Sequence, residues 1–218
     1  MKRGIWAVLF VALLLPGCQH RPPKESGQFR ATDLVEIIRL DPTIRLDIRY
    51  ATTNNFLGRR VYAQPRAFLQ RPAAEALVRA HQKLKSKGYG IVVFDGYRPW
   101  SVTKLFWDSA TDEQRRIEFV ANPQNGSRHN RGCAADISLF ELATGKEVLM
   151  PSAYDEFTER AFPDYAGGSA EARASRDLLR ATMEAEGFTV YRAEWWHFDF
   201  NDWKQYRIQN IPFEAVSR

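Results

Sequence analysis

The chain has 218 residues, 44% hydrophobic and 26% charged, a composition typical of a globular domain with a substantial core. Its formal net charge of +5 includes Lys2 and Arg3 at the start. The rest of the positive excess is spread out, with no basic block interleaved with aromatics, so nucleic acid is not an expected partner.

The first segment reads as an address. Lys2 and Arg3 precede an apolar run from Ile5 to Leu15. That run falls short of the roughly 20 residues a membrane-spanning helix needs, and fits a secretory signal peptide. The ending Leu15-Pro16-Gly17-Cys18 resembles a bacterial lipoprotein signal, with Pro16 unusual in its slot. This implies cleavage after residue 17 and lipidation of Cys18; ordinary cleavage and an uncleaved anchor are the alternatives. Gln19, rather than aspartate, follows the cysteine. The expected location is therefore the cell envelope, lipid-anchored on the periplasmic side, with an outer membrane favoured where one exists. With Cys18 lipidated, Cys133 has no partner for an intramolecular disulfide. Residues 18–33, rich in Pro, Gly and charge, read as a flexible tether. Residues 34–218 read as one domain.

Pro72 to Lys87 is expected as a helix: apolar residues, with His81 among them, recur at helical spacing, and Gly88 stops it. His81 reads as a packed side chain rather than a ligand. Ile91 to Phe94 is a short buried strand ending in the tight loop Asp95-Gly96-Tyr97-Arg98-Pro99. Ser101 to Phe119 is helical, broken near Ala110, because Thr111 and Gln114 have the form of a capping box. Ala134 to Leu142 is a strand, turned at Thr144-Gly145, with Glu147 to Met150 as its hairpin partner. A helix over Ala170 to Glu186 is closed by Gly187. Phe188 to Tyr191 and Trp195 to Phe200 are the last strands. The expected fold is α+β, a single domain with a central antiparallel sheet flanked by helices.

Two separated segments carry the chemistry: Ser127-Arg128-His129-Asn130-Arg131-Gly132-Cys133-Ala134-Ala135-Asp136 and Glu194-Trp195-Trp196-His197. Two of the chain's four histidines lie in them. His129, Asp136 and His197 form a three-ligand set of the kind catalytic zinc sites use, leaving a fourth position open. Glu194 is a spare carboxylate suited to act as general base. Gly132 allows the chain to turn between His129 and Asp136. On the following strand, Ala135 and Ile137 face away from Asp136. Cys133, among small residues, reads as a buried side chain rather than a fourth ligand. Residues three apart on a regular strand face opposite ways. Serving one ion with Glu194 and His197 therefore requires either Glu194 on the preceding turn or a bulge at Trp195-Trp196.

With Asp95-Gly96-Tyr97-Arg98-Pro99 as a third segment, these motifs, in this order, resemble the signatures of the VanX-type D-alanyl-D-alanine dipeptidases. The similarity runs from about Leu34 to Phe213. It implies one zinc per chain held by His129, Asp136 and His197, with the zinc site at the sheet. It further implies Glu194 as catalytic base, Arg98 as the arginine that stabilises the transition state, and Ser127 and Asp155 as holders of the substrate's ammonium group. The match at Asp155 rests on fewer distinctive neighbours. Cys133 stands where the family often has serine, and Ala135 where it often has a larger aliphatic residue. The export signal departs from the resistance-associated members, which work in the cytoplasm.

The resemblance implies zinc-dependent hydrolysis of free D-alanyl-D-alanine to two D-alanines. Outside the membrane that activity would serve cell-wall turnover or D-alanine scavenging. A D,D-carboxypeptidase or endopeptidase acting on peptidoglycan stem peptides is the alternative with the same chemistry. A zinc-stabilised wall-binding module is the alternative without chemistry, and the spare Glu194 speaks against it.

Overall fold

The computed structural model describes residues 21–216. The signal segment 1–17 and Cys18 lie outside the described residues. No helix among those described is long and apolar enough to cross a membrane.

A three-residue strand β1 (Leu34–Glu36) leads into the single turn α1 (Ile37–Leu40), the two-residue strand β2 (Arg45–Leu46) and, after a long loop, β3 (Phe68–Gln70). Helix α2 (Arg71–Lys85) follows with Pro72 in its first turn, where a missing N–H costs nothing. Then come β4 (Tyr89–Asp95), α3 (Trp100–Ser109), α4 (Asp112–Arg116), β5 (Ala134–Glu141), α5 (Ala170–Glu184), β6 (Phe188–Tyr191) and β7 (Glu194–Phe200). The break between α3 and α4 is where the sequence puts it. Thr111 Oγ1 accepts from the Gln114 amide, and the Gln114 side chain accepts from the Thr111 amide.

The main sheet has the order β2-β4-β5-β7-β6. Pairing is antiparallel except at one edge, where β2 runs parallel to β4. That edge strand is two residues long and carries too little periodicity to be read from sequence. The hairpin partner expected at Glu147 to Met150 also shrinks. It makes one bridge, Phe140 to Glu147, and the Val148 amide bonds to the Leu139 carbonyl. A separate two-stranded sheet pairs β1 with β3.

Both faces of β4 and β5 are covered. Ile91, Val93, Ala135, Ile137 and Leu139 point into the main core, against which α2 and α5 pack. Val92, Phe94 and Phe140 form a second cluster on the other face. His81 is a core residue, as expected. Its Nδ1 accepts the Ile91 amide at 3.0 Å, and Nε2 meets Thr43 Oγ1 at 2.9 Å.

The segment before β1 is docked, where sequence reading expects a flexible tether. The Arg30 amide bonds to the Gln205 carbonyl, Arg30 pairs with Asp202, and Glu25 pairs with Arg131. Complementary charge on the folded domain is what holds it, and the local composition of the segment does not record that surface.

Candidate active site

Register across the sheet lines up the site. Asp95 of β4 pairs with Asp136 of β5, and Asp136 pairs with His197 of β7. A bulge between Val93 and Asp95 brings Asp95 level with Asp136. Ala135 and Ile137 face the core while Asp136 faces the site, as strand alternation requires.

His129 comes from a single 3-10 turn, His129–Arg131, which ends at Gly132 with φ 71°. A Cβ at Gly132 would lie 2.5 Å from Leu34 Cδ2, so both the backbone angle and the space demand glycine. The Gln70 amide bonds to the Gly132 carbonyl, tying the turn to β3.

On β7 the bulge alternative holds. Val190 pairs with Phe198, but the next residue, Tyr191, pairs with Glu194. One step along β6 thus spans four along β7. The slack falls at Trp195, Trp196 and His197, and it lets Glu194 and His197 line the same cavity. Both tryptophans are buried as packing, and Trp195 Nε1 donates to Ser152 Oγ at 2.9 Å.

Three ligand atoms converge. His129 Nε2 lies 3.1 Å from His197 Nδ1 and 3.3 Å from Asp136 Oδ1, and His197 Nδ1 lies 3.1 Å from the same oxygen. A tetrahedral zinc ion with bonds of about 2.0 Å has ligand–ligand edges of about 3.3 Å. The triangle therefore fits such an ion. Asp136 Oδ1 is buried without a hydrogen-bond partner, which is costly unless a cation is its intended neighbour. The other ring nitrogens set the tautomers. His129 Nδ1 donates to the Gly96 carbonyl at 2.7 Å, and His197 Nε2 donates to Asp199 Oδ1 at 2.9 Å. Each bond leaves the opposite nitrogen with a lone pair aimed into the triangle. The third ligand is steadied by Tyr154, whose hydroxyl donates to Asp136 Oδ2 at 3.0 Å.

Glu194 is buried, with Oε2 3.7 Å from His197 Nδ1. Burial pushes its carboxyl up to about 8, and the charges of Asp136 and Asp155 add to the rise. A cation in the triangle would favour its charged form and pull it back down. Arg98 is buried and fixed: Asp95 Oδ2 accepts from its Nε at 2.9 Å and pairs with a terminal nitrogen at 2.8 Å. Its guanidinium also lies 3.7 Å from Asp136 Oδ2 and 4.8 Å from the Phe106 ring centroid.

Ser127 Oγ accepts the His129 amide at 3.2 Å, so it caps the metal turn while also lining the cavity. Asp155 has φ 60°, a left-handed conformation that aspartate tolerates better than most residues. The Tyr50 hydroxyl lies 3.1 and 3.2 Å from its two oxygens. Burial pushes the Asp155 carboxyl up to about 7; the charge of Asp136 adds to this and the Tyr50 hydrogen bond opposes it. Cys133 is fully buried, with its thiol near the Arg131 carbonyl and outside the ligand triangle, and burial pushes the thiol up.

All seven residues anticipated at the site line one cavity of about 430 Å³. Sequence reading misses four supporting residues. Asp199 had a usable signal, since it lies two residues after His197 and so shares its strand face. Asp95 stands in a quoted motif without a role. Tyr50 comes from the 3-10 turn Arg49–Ala51 and Tyr154 from a loop, and neither carries a local signal.

The family model described as D-ala-D-ala dipeptidase matches residues 30–215. A D-alanyl-D-alanine dipeptidase of Escherichia coli K12 is 30% identical over 184 residues, covering 84% of this chain and 93% of its own length. One from Enterococcus faecalis is 37% identical over 176 residues, and one from Enterococcus faecium 33% over 175 residues. Each of these two alignments covers 73% of this chain and 87% of the relative.

Proposed function

The chain belongs to the D-ala-D-ala dipeptidase family and is a metallopeptidase; on that premise we propose that it uses zinc to hydrolyse free D-alanyl-D-alanine to two D-alanines. The observation that carries this reading is one cavity holding the ligand triangle, Glu194 and the Tyr50-bound Asp155.

His129, Asp136 and His197 would hold the ion, which supplies Lewis acidity for the carbonyl and acidifies water. Glu194 takes the proton from the attacking water and passes it to the departing amine, a role suited to a buried carboxylate beside the ligands. Arg98, fixed by Asp95, offers an immobile cation to the oxyanion that develops on the scissile carbonyl. Asp155 pairs with the substrate's ammonium and Ser127 supports that end. An acylated amine has no charge to offer Asp155, so the site prefers a free dipeptide.

The test compares hydrolysis of free and N-acetylated D-alanyl-D-alanine by the zinc-loaded protein. Strong preference for the free dipeptide is the expected result. Equal rates would replace this reading with a D,D-carboxypeptidase acting on stem peptides.

The same proposal places the enzyme in the cell envelope, lipid-anchored through Cys18, where it serves wall turnover or D-alanine scavenging. Support comes from the charged start, short apolar run and Leu15-Pro16-Gly17-Cys18 ending. Incorporation of labelled palmitate that is lost in Cys18→Ser checks the anchor. Depletion of the cytoplasmic dipeptide by the exported form alone would overturn the assigned role.

A further inference from the structure

Residues 21–29 precede the span matched by the family model, yet one of them reaches the support of the metal turn. The Glu25 side chain is 17% exposed and bonds on both oxygens. Oε1 accepts from an Arg131 terminal nitrogen at 2.6 Å, and Oε2 accepts the Ile208 amide at 2.7 Å. The Glu25 carbonyl accepts from Arg207 at 3.0 Å.

Arg131 is the last residue of the turn that begins with His129. Its side chain is only 10% exposed and its other terminal nitrogen donates to the Tyr206 carbonyl. A buried guanidinium requires a counter-ion. Among the described residues, Glu25 is the carboxylate that pairs with it. The segment Glu25 grips on its other side also reaches the turn: the Gln209 amide bonds to the Asn130 carbonyl, and the Trp100 amide bonds to the Gln209 carbonyl. One carboxylate therefore staples the metal turn to the C-terminal segment that closes over it.

We propose that Glu25 is a positioning residue. Through Arg131 it fixes the turn that presents His129 to the ion, which makes the N-terminal segment a working part of the metal site. Groups bonded directly to a metal ligand commonly change metal affinity by about 10–100-fold; Glu25 acts one link further out, through Arg131, so the lower end of that range is the expected size.

The experiment uses the full chain and reads zinc affinity by competition with a chelating dye, alongside the melting temperature of the metal-free protein and the split between kcat and KM. Glu25→Gln removes the charge but keeps an oxygen for the Ile208 amide; Glu25→Ala removes both. Zinc dissociation constants are expected to rise about tenfold in Glu25→Gln and further in Glu25→Ala. KM for the dipeptide should be unchanged in both. Zinc affinity within twofold of wild type in Glu25→Gln would overturn the proposal, even with a lowered melting temperature, because that pattern marks a strap that only stabilises. Should Glu25→Ala fail to fold, Glu25→Gln decides. Should wild type bind another divalent ion in place of zinc, the same ratio is read with that ion.

Discussion

The two ends of the cavity are built differently. At the metal end, Asp136 and His197 sit in paired register on neighbouring strands, and each ligand has a partner behind it: Gly96, Asp199 or Tyr154. At the opposite end, Asp155 stands on a loop in a left-handed conformation and is held by Tyr50, which comes from a 3-10 turn. Strands fix two of the three ligands and a 3-10 turn tied to β3 fixes His129, which suits a site that must be held within about 0.5 Å. A loop carries Asp155, the group proposed to hold the substrate's ammonium, where geometry is less exacting.

This contrast gives a graded set of expectations. The largest loss should come from Glu194→Gln at the metal end: kcat falls about 10³-fold while zinc content stays at one per chain. Retained activity with intact zinc would remove Glu194 from the chemistry. Next is Asp199→Asn, which leaves all three ligands but weakens the orientation of His197. Its zinc affinity should fall about 10–100-fold in a chelator competition. Unchanged affinity would mean that the strand alone orients the ring.

At the loop end, Asp155→Asn should lower kcat/KM for the free dipeptide about tenfold or more and leave zinc affinity unaltered. The free and N-acetylated substrates should then be hydrolysed more nearly alike. The wild-type pH profile should carry the same signature. The carboxyl is pushed up to about 7, and only its anion pairs with ammonium. As pH falls through that value Asp155 takes up a proton, so KM should rise, and Asp155→Asn should flatten that limb. The smallest effect belongs to Tyr50→Phe, which removes one hydroxyl from Asp155 and should raise KM roughly fivefold, about 1 kcal/mol. A zinc-affinity change in either loop-end variant would break the division between the two ends.

Much of the site is legible locally. Glycine at 132, histidine at 129 and 197, aspartate at 136 and glutamate at 194 are residue types that few structural roles would assemble together. Helix ends marked by Pro72, Thr111, Gly88 and Gly187 are equally local, since caps and turns act over three or four residues. What escapes is what depends on distant partners. The two-residue strand β2 exists because β4 lies beside it. The expected hairpin partner of β5 fades to one bridge, although its turn residues sit where expected. The segment at Glu25 reads as tether by composition and is docked because Arg131, 106 residues away, needs its charge.

The sequence by itself determined which atoms were on offer: two imidazoles, a carboxylate for the ion, a second carboxylate nearby and an arginine on a strand-end loop. It also posed the conflict between Glu194 and His197, because side-chain direction along a strand follows from alternation alone. Tertiary structure decided how the conflict ends. The bulge on β7, the pairing of Asp136 with Asp95 on one side and His197 on the other, and the arrival of Tyr50, Tyr154 and Glu25 are all set by register and packing between segments far apart in the chain. Those contacts bring together groups whose local sequences contain no record of one another.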